Sequence, residues 1–316
     1  MTDTLVKFDE YPSLTVAVLT FNSMETLPWC LESLDRLKYR TDILEFVFVD
    51  GGSTDGSLET LRRFARSTRA RTTILEEVKG EPRSRQAALE AARGEIVAFT
   101  DSDCYVDEDW AIELISGYWS ASIAGVGGKT LYAGPLDTAL RIYFKYLQER
   151  DLRGISQPRE VELPLPGFNS SFRREDALQA GGFNPSLLFG DTELCLRILK
   201  RGYSFVINPK AIVHHAHHHH LRSVLSFLAR RSAAAHSWYQ IRRLHGQLLD
   251  SICCASPSLR VRQILTDLLN ASRRHDVPFL FVQMAILTTL KGFVEQLGIR
   301  GLWWSPKTLD SLLGRS

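Results

Sequence analysis

Three apolar, β-branched runs in the first third of the chain each break off abruptly into polar sequence. Leu14-Thr-Val-Ala-Val-Leu-Thr20 runs into Phe21-Asn22, Leu44-Glu-Phe-Val-Phe-Val49 into Asp50-Gly-Gly-Ser53-Thr-Asp55-Gly56, and Ile96-Val-Ala-Phe-Thr100 into Asp101-Ser102-Asp103. Short runs that are apolar throughout read as strands buried on both faces. Between them, Met24–Leu37 carries Leu27, Leu31 and Leu34 at helical spacing, Ser57–Ser67 is a second helix, and Arg83–Arg93 is a third that stops at Gly94. Thr72–Val78 supplies one more strand. This β-α-β-α order predicts an α/β fold with a mainly parallel, doubly wound sheet flanked by helices. In such a sheet the strand C-terminal ends share one edge, and ligands bind there. The three polar endings are therefore the first candidates for a site.

Their chemistry narrows the ligand. Asp101 and Asp103, one residue apart at a strand end, offer hard carboxylate oxygens of the kind that hold Mg²⁺ or Mn²⁺ on a diphosphate. Asp50 suits the hydrogen-bond donors of a ribose or base, and Gly51 and Gly52 let backbone approach a ligand closely. A Rossmann dinucleotide site is disfavoured, because no G-x-G-x-x-G follows the first strand. Lys79-Gly80-Glu-Pro-Arg83-Ser-Arg85 opens the third helix with two arginines where the helix dipole does not favour them. Something anionic nearby would account for them.

After about Asp151 the alternation gives way. Pro158, Pro164, Pro166 and Gly167 mark a loop, and Arg174–Gly181 and Thr192–Gly202 read as helices. Tyr203–Ile207 and Ala211–Val213 read as strands. From Leu221 the pattern is helical. We expect one domain over residues 1–220 and a helical C-terminal extension over 221–316.

Together these residues resemble the GT-A glycosyltransferases of family 2, the inverting nucleotide-sugar transferases. The resemblance runs from about Leu14 to His217 and rests on ordered motifs. They are Val-Leu-Thr20-Phe-Asn22, Phe-Val-Asp50-Gly-Gly-Ser-Thr-Asp-Gly and Ser84-Arg85-Gln, the last standing for the usual Ala-Arg-Asn. Ala92-Arg-Gly-Glu-Ile-Val-Ala-Phe-Thr-Asp101-Ser-Asp103, Gly167-Phe-Asn169-Ser-Ser-Phe-Arg-Arg and Gly181-Gly-Phe183 follow. The series ends with Asp191-Thr-Glu-Leu-Cys-Leu-Arg197 and Pro209-Lys-Ala-Ile-Val-His-His215.

The resemblance implies a division of labour. Thr20, Asn22 and Asp50 would meet the nucleotide, with Ser102 in the same turn as the carboxylates. Asp101 would reach the ribose or the metal, and Asp103 would ligate Mn²⁺ or Mg²⁺. Arg85 would help hold the charge of the leaving diphosphate. Asp191 matches the family's general base, which takes the acceptor's proton in a single inverting displacement. Family members usually carry Glu-Asp where this chain has Gly190-Asp191; either the acceptor binds differently or Glu193 covers part of the lost role. In the run His214-His-Ala-His217-His-His-His220, His215 best matches the family's metal-ligating histidine, with His214 and His217 next. The Gln-x-x-Arg-Trp motif of processive members is absent, which implies transfer of one sugar. The implied partners are a nucleotide diphosphate-sugar donor and a glycan or lipid-linked acceptor, in polysaccharide biosynthesis. The alternatives are a catalytically impaired nucleotide-sugar-binding protein, suggested by Gly190, and a histidine-based metal-handling protein.

The net charge of +2 argues against a general nucleic-acid binder. The charge is uneven, however. Ala216–Ser316 holds 13 Lys+Arg against 5 Asp+Glu, and the remainder 25 against 31. The five cysteines have no zinc-site spacing. The N-terminus shows no apolar signal core, and the longest apolar stretch, Pro278–Leu290, is too short to span a bilayer. The expectation is a cytoplasmic protein whose basic, aromatic-rich C-terminal region is the candidate contact with the inner face of a membrane.

Overall fold

The computed structural model describes residues 11–134, 155–216 and 240–248, together with Lys145 and Ser237. Its centre is a sheet begun by β1 (Leu14–Thr20), β2 (Leu44–Asp50), β3 (Arg71–Leu75) and β4 (Ile96–Asp101). These four lie in the order β3-β2-β1-β4 and are parallel throughout. β2 is buried at every residue and β1 at all but Leu19. Helices cover both faces, which is why these strands read as unbroken apolar runs. α1 (Leu27–Asp35), α2 (Ser57–Ser67) and α3 (Glu81–Ala91) are the three crossovers expected.

The register is flush. Leu14 lies opposite both Leu44 and Ile96, and at the other end Thr20 lies opposite Asp50 and Leu19 opposite Asp101. Strands of seven, seven and six residues starting in one register therefore deliver all three polar endings to one edge. Alternate residues feed two cores. Val16, Phe46, Phe48 and Ile96 pack on one face with Trp110; Ala17, Val47, Val97 and Phe99 pack on the other with Phe172 and Phe183. Phe99 meets Phe183 edge-on at 5.1 Å between ring centroids, and each such fully buried ring contributes about 1.5–3 kcal/mol by leaving water.

Beyond β4 the sheet turns antiparallel, which sequence reasoning did not anticipate. β8 (Ser170–Arg173) pairs antiparallel with β4 and with β6 (Ile123–Tyr132), and β9 (Ser204–His215) and β5 (Cys104–Val106) complete the order. β7 (Arg159–Val161) pairs with β9. α4 (Trp110–Ser116), α5 (Arg174–Gln179) and α6 (Gly190–Lys200) pack beside this half. β6, to which the sequence pattern assigned no element, carries Gly125, Gly127 and Gly128, residues that do not favour a strand. Here they serve close approach: a Cβ on Gly128 would sit 2.0 Å from the Ala211 carbonyl oxygen. The two strands expected around Pro209 are one. Asn208 carries the strand past the proline, accepting the Lys210 N–H at 3.0 Å and donating to the Glu113 carbonyl at 2.8 Å.

The sheet and its helices form one compact unit that reaches Ala216. In a second unit, residues 240–248 are helical and the Leu188 N–H donates to the Ser237 hydroxyl at 3.2 Å. The rest of the expected 221–316 extension, and His217–His220, lie outside the described residues. No helix among the described residues is long and apolar enough to cross a membrane.

Candidate active site

At the end of β2, the Asp50 side chain is fully buried. Its Oδ2 accepts the Gly52 and Ser53 N–H groups, each at 2.9 Å, which folds the loop back over the strand. Among the described residues its Oδ1 has no partner, and neither has the buried Thr20 hydroxyl on the adjacent strand end. Buried polar atoms are normally satisfied, so two orphans on paired strand ends make this edge a candidate place for a ligand's polar groups. Asn22 plays a different part from these two. It sits exposed at φ 47°, its side-chain oxygen accepts the Thr54 N–H at 2.9 Å, and its own backbone N–H donates to the Ser53 hydroxyl oxygen at 2.9 Å. It staples the first loop to the second. Ser102 is likewise turned into the scaffold: its hydroxyl donates to the Ser23 hydroxyl at 2.7 Å, and its carbonyl accepts the Thr26 hydroxyl at 3.0 Å.

Asp101 and Asp103 diverge after β4. Asp101 turns toward α3, where Arg85 Nη2 lies 3.5 Å from Asp101 Oδ1 and 3.3 Å from Glu81 Oε1. The buried Arg85 also donates to the Gly167 carbonyl. Burial pushes the Asp101 carboxyl up to about 6; Arg85 opposes the rise and Asp103 adds to it. Burial alone would lower the Arg85 pKa, but Asp101, Glu81 and Asp191 together hold it above its usual value.

Asp103 turns the other way. Its Oδ2 lies 3.1 Å from His215 Nε2, because β5 pairs with β9 so that Cys104 lies opposite His215. His215 is buried against the Phe168 ring, at 4.6 Å between centroids. Burial would lower its pKa, yet the Asp103 carboxylate more than offsets this and the pKa is raised. Asp103, Cys104 and His215 bring ligand atoms within 4.8 Å of one another. Burial and the two neighbouring aspartates keep the Cys104 thiol protonated, and its soft sulfur suits Mn²⁺ or Mg²⁺ poorly, so the usable donors are carboxylate and imidazole. His214 points to the opposite face by strand alternation. It stacks flat on Tyr105 at 4.6 Å and bonds Asp107 Oδ1 at 2.9 Å. The structure thus separates the two histidines that the sequence left open.

Asp191 enters from the first turn of α6. Gly167 explains its placement: a Cβ there would lie 2.4 Å from Asp191 Oδ2 and 3.2 Å from Arg85 Nη2. Only a hydrogen in that gap lets the two side chains face each other. Burial raises the Asp191 pKa, with Arg85 opposing it. Glu193 does not stand in for the missing Glu at Gly190. It is buried, bonded to Arg197 Nη2 at 2.7 Å and to Nε at 2.9 Å, and Arg197 also donates to the Ala180 and Gly182 carbonyls. This pair clamps the turn that precedes α6. Gln86, beside Arg85, grips the same turn through the Phe183 N–H at 2.7 Å. Gly167, Gln86 and the Glu193–Arg197 clamp were missed in sequence, where only the order of motifs, not their contacts, could be read. Asn169, by contrast, is structural: fully buried, it accepts from the Trp110 indole at 2.8 Å and donates to the Lys129 and Ala211 carbonyls.

The chain is similar to glycosyltransferase AglE of Haloferax volcanii, 27% identical over 197 residues, 61% of this chain and 63% of AglE. It is 33% identical over 96 residues to the poly(ribitol-phosphate) beta-N-acetylglucosaminyltransferase TarS of Staphylococcus aureus, covering 30% of this chain and 17% of that protein. The chain thus spans less than two thirds of these relatives' own lengths. Among solved structures, a mannosyltransferase from Pyrobaculum calidifontis in complex with GDP-Man and Mn²⁺ superposes with a TM-score of 0.59 at 21% identity, covering 97% of this chain and 79% of that one. These likenesses agree with the GT-A fold traced by β1 to β9. The model of glycosyl transferase family 2 matches residues 15–174, just over half of the 316 residues, and the chain belongs to that family.

Proposed function

We propose that this chain is an inverting, metal-dependent, non-processive glycosyltransferase that moves one sugar from a nucleotide diphosphate-sugar to a hydroxyl of a glycan or lipid-linked acceptor. The observation that carries the reading is the meeting of Asp191 and Arg85 across Gly167, with Asp101 on the same guanidinium. A base, a cation and a ribose- or metal-facing carboxylate converge from three separate elements. The donor set beside them fits the implied metal: the Asp103 carboxylate and the His215 imidazole would hold Mn²⁺ or Mg²⁺. The orphaned Thr20 hydroxyl and Asp50 Oδ1 fit a nucleoside. The mannosyltransferase structure with GDP-Man and Mn²⁺, and one of GalNAc-T7 with UDP, GalNAc and Mn²⁺, support this donor class.

The cation, when bound, neutralises charge on the departing diphosphate. Asp191 takes the proton of the acceptor hydroxyl as that oxygen bonds to the anomeric carbon. The bond from that carbon to the phosphate oxygen breaks on the opposite face, and its electron pair leaves with the nucleoside diphosphate. The raised Asp191 pKa makes its carboxylate a stronger proton acceptor than a solvated one. Arg85 keeps the Gly167 loop and Asp101 in place and adds fixed positive charge where negative charge builds.

Poly(ribitol-phosphate) and glucosyl-dolichyl phosphate in the names of two relatives support a glycan or lipid-linked acceptor. The basic balance of Ala216–Ser316 supports work at the cytoplasmic face of a membrane. Release of nucleoside diphosphate from a panel of UDP-, GDP- and dTDP-sugars with Mn²⁺ tests the reading. Turnover of at least one donor that Asp191→Asn slows on the order of 10²-fold or more is expected. Donor binding without turnover in the unaltered protein would instead establish a binding protein.

A further inference from the structure

We propose that Lys79 belongs to the donor site, closing over the nucleobase seated on Thr20 and Asp50 and reading a keto oxygen of a uracil-, thymine- or guanine-type base. This rests on the donor reading above and deepens it to the chemical class of the base.

The loop between β3 and α3 is built to deliver this side chain. The Val78 N–H donates to the Asp50 carbonyl at 3.0 Å, and the Val78 carbonyl accepts the Ser84 hydroxyl at 3.0 Å, so the backbone before Lys79 is pinned to the end of β2. Glu77 at φ 59° and Gly80 at φ 94° bend the chain on either side. Lys79 then lies across Gly52, where a Cβ would meet its Cε at 3.9 Å. The Gly52 N–H is held by Asp50 Oδ2 at 2.9 Å, Thr20 lies opposite Asp50, and both residues are buried, with Oδ1 and Oγ1 lacking partners among the described residues. No carboxylate among the described residues pairs with the Lys79 ammonium.

Strand order says which end of the donor Lys79 meets. β3 is the outer strand of the parallel half, and three strand spacings separate it from β4, about 14 Å. Asp103, the metal-ligating candidate, follows β4. A cation serving the diphosphate belongs at that end; Lys79 stands at the other, with the nucleoside. The polarities then select the base. A carboxylate only accepts and an ammonium only donates. Uracil, thymine and guanine present a ring N–H beside a carbonyl, which satisfies both. Cytosine and adenine present an unprotonated ring nitrogen beside an amino group, so the same two side chains meet the opposite polarity.

Calorimetric titration of the full chain in Mn²⁺ with UDP, CDP, GDP and ADP tests this, using the unaltered protein, Lys79→Met and Lys79→Arg. Expected is tighter binding of UDP than CDP, or of GDP than ADP. Lys79→Met should lose about tenfold on the keto nucleotide, the scale of one charge-assisted hydrogen bond, and little on its amino counterpart; Lys79→Arg should keep most of the preference. An unchanged melting temperature without nucleotide shows that the variants fold. Equal losses on keto and amino nucleotides would make Lys79 a general anion contact and overturn the proposal, as would unaltered binding or an unaltered protein with no base preference. Failure of the unaltered protein to bind any of the four would sink the donor reading itself.

Discussion

Asp101 and Asp191 share Arg85 but differ in what else surrounds them. Asp191 has a raised pKa and must be ionised to accept a proton, so transfer should slow as pH falls through that raised value. Asp191→Asn should cut kcat on the order of 10²–10⁴-fold and erase the acidic limb of the rate-against-pH profile, measured on the donor that turns over. For Asp101 the consequence is one of stability. Its pKa in the fold, about 6, exceeds the ordinary carboxylate value. The stability it contributes is thus complete below that ordinary value and is lost as pH rises through about 6. At neutral pH, without metal or donor, Asp101→Asn should therefore raise the melting temperature while lowering transfer; a lower melting temperature would show that the Arg85 ion pair outweighs burial. Both aspartates were legible in sequence, as a strand-end carboxylate and a motif position. Their shared arginine was not legible, because Arg85, Asp101 and Asp191 come from three distant segments.

At the scale of elements, glycines set how closely the pieces pack. Gly167→Ala would drive a methyl into Asp191 and Arg85. Displacing a base by about 1 Å costs on the order of 10²-fold in rate, so a sharp fall in kcat with little change in the urea midpoint is expected. Gly128→Ala should do the reverse. Its Cβ would meet the Ala211 carbonyl at 2.0 Å, and backbone cannot rotate away. A loss of about 1–3 kcal/mol or more in urea unfolding is the expected outcome. The same glycines explain why the parallel half of the sheet was readable while, in the antiparallel half, β9 was readable in two pieces and β6 was not. β1, β2 and β4 are buried on both faces and announce themselves by apolar runs. β6 trades side chains for proximity, and β8, with Ser170 and Ser171 in its four residues, offers little pattern.

Across the whole molecule, ligand and charge are the levers. Mn²⁺ with the matching nucleoside diphosphate, each at about a hundred times its Kd, should add roughly 2.7 kcal/mol per bound ligand by mass action, visible as a thermal shift that Asp103→Ala removes for the metal. The basic balance of Ala216–Ser316 predicts more pelleting with anionic vesicles for the full chain than for one ending at Ser272, and equal pelleting would count against membrane contact. What the sequence determined by itself was the alternation of buried strands and helices and the polar residues at the strand ends, because hydrophobic periodicity is a local property and flush parallel pairing carries those ends to one edge. Tertiary structure alone decided that His215 rather than His214 faces Asp103, that Glu193 is locked by Arg197, and that Asp191 meets Arg85 through the gap at Gly167. Those outcomes depend on strand register, helix entry angle and the absence of a single methyl group, and they bring together residues whose separation along the chain carries no information about their distance in space.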